Sequence, residues 1–223
     1  MLACIGNVVD AATVARLRAA LAEAEFVDGK STAGFRARRV KNNEQLGRDH
    51  PDRGALDRLV VEALERNAEV RRAAWPRTIM RPMFSRYRPG MNYGRHVDDA
   101  LMGAQPKLRT DLSVTLFLSE PGEYDGGELL LVTPFGEQSI KLPAGAAVIY
   151  PSILLHEVRP VTRGERLVVV TWIQSYIREA WQRETLHDLE RIRNKLAAIA
   201  GDSPEADLAF KTLSNLLRMW SQN

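Results

Sequence analysis

PAGAAVIYPSILLHEVRPVTRGERLVVVTWI, residues 143–173, is the stretch on which the fold turns. Its runs of β-branched, aromatic and small apolar residues (Ala146 to Tyr150, Ile153 to Val161, Leu167 to Ile173) are divided by Pro143 to Gly145 and by Arg163-Gly164. No helix-length segment separates them. Such spacing predicts antiparallel strands rather than strand–helix–strand units, because short turns can only reverse a chain onto its neighbour. The same texture extends upstream. Thr78 to Tyr87, Leu112 to Leu118 and Glu128 to Val132 read as strands, punctuated by Pro89-Gly90, Asp125-Gly126-Gly127 and Pro134 to Gly136. An all-β core, a sandwich or barrel, is expected over residues 77–177.

The flanks differ. Val14, Leu17, Leu21 and Ala24 recur at helical spacing behind a candidate N-cap, Asp10, and Asp28-Gly29 ends the pattern. Residues 31–50 are mixed and polar, with Lys41-Asn42-Asn43 reading as a loop or short strand. A second helix is expected from about Arg53 to Ala74, with Leu56, Leu59, Val60, Ala63 and Leu64 on one face and Pro76 as its stop. Helical texture returns from Arg178 to Ala200, turns at Gly201-Asp202-Ser203-Pro204, and runs on to about Trp220. The expected organisation is N-terminal helical support (1–76), a β core (77–177) and a C-terminal helical extension (178–223). Leu186, Leu189, Ile192 and Leu196 line up on one face of that extension, which would cap the barrel or pair subunits into a homo-oligomer.

Composition sets bounds. The chain has 223 residues, 45% of them hydrophobic, and a net charge of +3. So small an excess neither demands nor excludes a polyanionic partner. The single Cys4 excludes an intrachain disulfide and any cysteine-based zinc or iron–sulfur site. No apolar run approaches the roughly 20 residues needed to span a bilayer. The opening Met1-Leu2-Ala3-Cys4-Ile5 has no basic flank and meets Asp10 too soon for a signal peptide, so a cytoplasmic protein without a membrane partner is expected.

Four histidines are present. His50, before Pro51, reads as a solvated turn residue, and His187, among Arg183, Glu184 and Asp188, as surface. His96 and His156 both fall near strand ends. In extended backbone His96 and Asp98 project to one side and Val97 to the other, so an imidazole and a carboxylate can meet one metal ion. His-x-Asp alone is a weak signal. His156 lies in the apolar Ile153-Leu154-Leu155-His156-Glu157-Val158, where an imidazole must find a partner or a metal. Two histidines and a carboxylate make a facial triad, the donor set of non-haem Fe(II) oxygenases.

Arg166 is the next candidate, either the fork that receives a cosubstrate carboxylate or a surface residue closing a hairpin. If the strands of His156 and Arg166 form a hairpin with a two-residue turn at Arg163-Gly164, His156 pairs with Thr171 and Arg166 faces away. Both face inward only with an odd-length loop or a bulge, for which Gly164 is suited.

The chain resembles a known family at these residues. Tyr87, then Tyr93-Gly94-Arg95-His96-Val97-Asp98, Asp125-Gly126-Gly127-Glu128-Leu129, and His156 followed by Pro160 to Arg166 resemble the Fe(II)/2-oxoglutarate dioxygenases of the prolyl 4-hydroxylase superfamily. The likeness is closer still to the bacterial PKHD-type hydroxylases. It extends to Phe26-Val27-Asp28-Gly29, Val40-Lys41-Asn42-Asn43, Arg109-Thr110-Asp111-Leu112-Ser113 and Trp172-Ile173-Gln174-Ser175. The resemblance implies a double-stranded β-helix (jelly-roll) core. It implies His96, Asp98 and His156 as Fe(2+) ligands, with no catalytic residue beyond them, and Arg166 and Tyr87 as 2-oxoglutarate-binding residues. It also implies L-ascorbate dependence, and hydroxylation with O2 of a peptide or small molecule, releasing succinate and CO2. Asp98 fills the position that halogenating relatives leave for chloride, which favours hydroxylation. A second family tyrosine is replaced by Phe117, for which Thr115 or Tyr93 would substitute, and Trp172 reads as core or as pocket lining.

The substrate is not specified by these residues. Residues 71–95 hold seven arginines and no acid, which either present an anionic substrate or decorate solvated strands. Ala100 to Pro106 and Lys107 to Asp111 read as lid elements. The competing class is a non-catalytic jelly-roll module that binds a metal or small acid. Nucleic-acid dealkylation is a third reading, disfavoured here, and predicts salt-sensitive DNA or RNA affinity.

Overall fold

A computed structural model of the chain describes residues 1–32, 34 and 36–222. Its helices are α1 (Ala11–Ala22), α2 (Arg53–Arg66), α3 (Ala68–Ala74), α4 (Ala180–Ala200) and α5 (Pro204–Trp220). The Asp10 carboxylate accepts from the Thr13 amide at 2.7 Å and so starts α1 as expected. The single helix expected over 53–74 is two. Asn67 adopts an extended conformation, and its side-chain oxygen accepts from the amides of Glu69 and Val70, capping α3 afresh. A residue that satisfies two orphan amides makes a better new start than a continuing turn.

Two antiparallel sheets form the core. In the major sheet the order is Ala3–Ile5, Ala147–Pro151, Leu112–Phe117, Arg166–Ser175, Met83–Tyr87, Glu44–Leu46 and Phe26–Asp28, with Pro76–Ile79 also pairing Arg166–Ser175. The minor sheet runs Gly136–Ile140, Leu129–Thr133, His156–Val158, Asn92–His96 and Lys41–Asn42. The jelly-roll expectation holds. Strands from the first 76 residues extend both sheets, so that stretch is more than helical support.

Alternation along the strands sorts the core into two layers. Val114, Leu116, Leu167, Val169 and Ile173 face outward and pack on Leu17, Leu21, Val60, Leu64 and Val70 of α1 to α3. Phe117, Val148, Tyr150 and Val168 face inward and meet Leu129, Leu131 and Val158 of the minor sheet. Burying both faces of the major sheet explains why its strands read as nearly continuous apolar runs. Helices α4 and α5 form a hairpin whose Leu186 and Leu213 pack with Ile177 and Trp75. Neither helix lines the central cavity.

The expected hairpin between the His156 and Arg166 strands does not form. Val161–Gly164 leaves the minor sheet to pair with Tyr124–Gly126, and Arg166–Ser175 then enters the major sheet. The two strands face each other across the barrel. Arg166 therefore points inward by facing, not by a hairpin bulge. Gly164 still matters, with φ +72° and the carbonyl of Glu123 where a side chain would stand.

Candidate metal centre and its cavity

His96 and His156 are directly opposed on neighbouring minor-sheet strands, with ring centroids 4.2 Å apart. Each ring is oriented by its own backbone. His96 Nδ1 lies 2.8 Å from the Gly94 carbonyl and His156 Nδ1 lies 2.9 Å from that of Leu154. A carbonyl only accepts, so each Nδ1 carries the proton and each Nε2 keeps its lone pair. Those two Nε2 atoms stand 3.9 and 3.8 Å from Asp98 Oδ1. The other carboxylate oxygen is occupied. Asp98 Oδ2 accepts from Ser113 Oγ at 2.6 Å and from Trp172 Nε1 at 2.9 Å.

Ser113 and Trp172 pair across adjacent major-sheet strands, and Ser113 Oγ also lies 2.8 Å from Ser152 Oγ. Burial, and then the adjacent His156, pull the His96 imidazole down to about 4, outweighing the Gly94 carbonyl and Asp98. It is neutral at pH 7, as a ligand must be. Among the described residues, these three form a cluster of donors lying within 4.8 Å of one another. Two imidazole nitrogens and one carboxylate oxygen suit a borderline divalent ion.

The triad opens onto a cavity of about 970 Å³. At its inner end Arg166 is 1% exposed, with its guanidinium carbon 5.0 Å from the Tyr87 ring centroid and 5.5 Å from that of Phe117. Its Nε has no hydrogen-bond partner, and no carboxylate among the described residues pairs with it. A buried cation without a counter-charge fits an anionic ligand. Tyr87 is opposite Arg166 in register, and burial raises its phenol despite that neighbouring cation.

Around the buried Phe117 the cavity wall carries several polar and aromatic side chains. Tyr93 stacks on His96 at 3.6 Å, 16° from parallel, and Thr115 lines the cavity. Tyr150, hidden in an apolar run, was not a candidate from sequence. It meets His156 edge-on at 5.3 Å, and burial raises its phenol strongly. Ser113 carries no signal of its own beyond the matching Arg109 to Ser113 stretch. Leu101, Met102 and Lys107, in the expected lid region, line the mouth. His50 and His187 lie outside the cavity. Of the seven arginines in 71–95, five pair with carboxylates: Arg72 with Glu69, Arg81 with Asp57, Arg86 with Glu44, Arg88 with Glu165 and Arg95 with Glu137. That run mostly laces the exterior, and only Arg81 reaches the cavity.

The chain matches relatives along its length. A PKHD-type hydroxylase of Picosynechococcus sp. is 49% identical over 218 residues, covering 98% of each chain. Another, from Paraburkholderia phymatum, is 44% identical and 99% of each chain is covered. This chain belongs to the PKHD-type hydroxylases. Residues 82–174 match the family model of the 2OG-Fe(II) oxygenase superfamily. Among solved structures, a prolyl-4-hydroxylase of Pseudomonas putida superposes with a TM-score of 0.53 at 24% identity, over 78% of this chain and 92% of that one. HygX of Streptomyces hygroscopicus, solved with nickel, 2-oxoglutarate and hygromycin B, gives 0.53 at 14% identity over 80% and 84%. At such identities these two show the shared fold. The PKHD-type chain described here is thus an Fe(II)- and 2-oxoglutarate-dependent dioxygenase. No helix among its described residues is long and apolar enough to cross a membrane.

Proposed function

We propose that His96, Asp98 and His156 hold the ferrous ion, that Arg166 with Tyr87 receives the distal carboxylate of 2-oxoglutarate, and that the enzyme hydroxylates a C–H bond of a peptide or small molecule. One observation carries this reading: two Nε2 atoms and Asp98 Oδ1 converge while the second polar atom of each ligand is already bonded elsewhere. When bound, iron would let O2 act as the oxidant while 2-oxoglutarate supplies two of its four electrons, one atom of O2 going to the substrate and the other into succinate as CO2 leaves.

The chain's own part is orientation and exclusion. The Gly94 and Leu154 carbonyls fix which imidazole nitrogen donates its lone pair. Ser113 and Trp172 prevent Asp98 from rotating and hold its Oδ1 toward the histidines. Arg166 is pre-oriented between two aromatic rings, so little side-chain entropy is lost when a carboxylate arrives. Leu129, Val158 and Val170 give the cavity apolar walls, which strengthen charge interactions within it. An Asp98 carboxylate in the triad supports hydroxylation over halogenation.

The family resemblance alone supports ascorbate as the reductant that maintains ferrous iron. Exposed Ile199, Leu208 and Phe210 on α4 and α5 support subunit pairing through that hairpin.

The test is anaerobic addition of Fe(II) and 2-oxoglutarate, followed by air. The expected result is a weak visible chelate band, then oxygen-dependent succinate, with both lost in His96→Ala and Asp98→Ala. A band without succinate across candidate substrates would leave a binding module only.

A further inference from the structure

Lys41, Asn43 and Gln45 alternate along the N-terminal segment that bridges the edges of the two sheets. Lys41 pairs with Tyr93 in the minor sheet and Gln45 with Ser85 in the major one. All three are buried and line the cavity, at 3%, 3% and 4% exposure. The intervening side chains turn outward, Asn42 donating to the Gly90 carbonyl and Glu44 pairing with Arg86. A strand whose buried face is polar and whose outer face is also polar inverts the usual pattern. Burying such groups costs free energy that packing does not return.

Gln45 is accounted for, within 2.5 Å of Thr32 Oγ1 and donating to Ser85 Oγ at 3.3 Å. The other two are not. Asn43 lies within reach of the Tyr87 phenol, which burial raises and that contact lowers in part, and apart from it the amide nitrogen and amide oxygen of Asn43 have no hydrogen-bond partner. Lys41 donates only to Thr32 Oγ1, at 3.1 Å, and pairs with no carboxylate among the described residues. Its Nζ stands 5.3 Å from the centroid of the Tyr93 ring, which itself stacks on His96. Asp98 and Asp28 act on it only at longer range, and Asp28 is exposed and bonded to the Lys30 amide.

Charge counting extends the point. With iron and cosubstrate in place, two positive charges on the metal and one on Arg166 are offset by the two carboxylates of 2-oxoglutarate and by Asp98. Lys41 is left over, one aromatic ring from the metal centre. Burial pulls its ammonium down to about 8, which leaves it mostly protonated at pH 7.

We propose that Lys41 and Asn43 form the recognition site for the substrate of this oxygenase, and that the group they recognise is a carboxylate. This rests on the functional reading above. One ammonium and one amide donor suit a singly charged planar anion, whereas a phosphate dianion would bring a second charge with no partner. Gln45, Thr32 and Ser85 brace the pair.

The test is calorimetric titration of the anaerobic protein saturated with Fe(II) and 2-oxoglutarate. The probes are N-acetylproline, N-acetyllysine, N-acetylleucine and N-acetylphenylalanine, each beside its primary carboxamide. At least one acid should bind tenfold or more tighter than its carboxamide. Lys41→Met should reduce that ratio to within twofold while leaving 2-oxoglutarate affinity within twofold. Lys41→Gln, which keeps a polar contact to Thr32 without the charge, should behave alike. Asn43→Ala should weaken the acids three- to tenfold. Carboxamides binding as well as acids, no acid binding at all, or discrimination surviving in both Lys41 variants would overturn the proposal. Loss of 2-oxoglutarate affinity in both variants would also overturn it, by assigning Lys41 to the cosubstrate. Failure of the oxygenase reading itself would show earlier, as no chelate band before any probe is added.

Discussion

Trp172 Nε1 donates to Asp98 Oδ2 across 2.9 Å, tying a central strand of the major sheet to the second residue beyond the end of a minor-sheet strand. Asp98 follows the Asn92–His96 strand, where nothing in its own backbone ladder fixes its carboxylate. Its orientation is imposed from the opposite wall. Ser113 adds a second donor to the same oxygen, at 2.6 Å. The free oxygen is thereby the one that faces both histidines.

Trp172→Phe keeps the ring and removes that donor. Outer hydrogen bonds to a ligating carboxylate are worth roughly 10–100-fold in metal affinity. The expected outcome is an Fe(II) dissociation constant raised by about tenfold, the low end because Ser113 remains. A fluorescence-quench titration with Fe(II) under argon measures it. An unchanged constant would mean that Ser113 alone sets the carboxylate.

Arg166→Ala should raise the 2-oxoglutarate dissociation constant by at least tenfold, because a hydrogen-bonded pair with a charged group is worth roughly 1.5–3 kcal/mol. Fe(II) affinity should change little, since Arg166 touches none of the three converging atoms. Removing a buried cation that pairs with no carboxylate should relieve its desolvation cost and offset the lost packing on Tyr87 and Phe117, so the thermal midpoint should change little. A fall in both midpoint and iron affinity would place Arg166 in the fold rather than at the cosubstrate.

Much of this centre was legible from a few residues. His96-x-Asp98 works because period-two geometry survives just past the strand end, and His156 was marked by its apolar surroundings. Arg166 stands out in the sequence by its type and its place after the Thr162 to Glu165 turn, and it lines the cavity, but the chain reaches it by crossing to the major sheet and not through a hairpin. Turn chemistry at Gly164 signals a reversal without saying which sheet the next strand joins. Tyr150 was hidden because an aromatic residue in an apolar run reads the same whether it fills a core or walls a cavity. Lys41, Asn43 and Gln45 were hidden for the opposite reason, since a polar stretch reads as solvated until tertiary structure covers it. The break at Asn67 was masked by helical periodicity on both sides.

Acid should destabilise the metal-free protein through His96. An unfolded imidazole takes a proton near 6.5, whereas the buried one resists protonation until about 4. Between those values the unfolded chain holds a proton that the fold lacks, so stability falls as pH drops through that window and levels off below it. Urea midpoints measured from pH 7 to pH 4 in chelator should decline, and His96→Asn should flatten part of the decline. Identical slopes in the two proteins would remove His96 as the cause.

Gly164→Ala tests the crossing that brings Arg166 to face the histidines. Gly164 has φ +72°, a conformation costing a non-glycine residue roughly 1 kcal/mol or more. An added Cβ would also run into the Glu123 carbonyl and press on the Tyr124 backbone, neither of which is a flexible side-chain end. Tyr124–Gly126 pairs with this very strand, so relief requires separating the two-stranded ladder. The expected loss is about 2–4 kcal/mol, read as a lower urea midpoint with an unchanged slope. Arg166 lies two residues on, so the surviving folded fraction should also bind 2-oxoglutarate more weakly while Fe(II) affinity stays within twofold. A stable variant with normal cosubstrate affinity would show that the crossing tolerates a side chain and that Arg166 is positioned by its own strand alone.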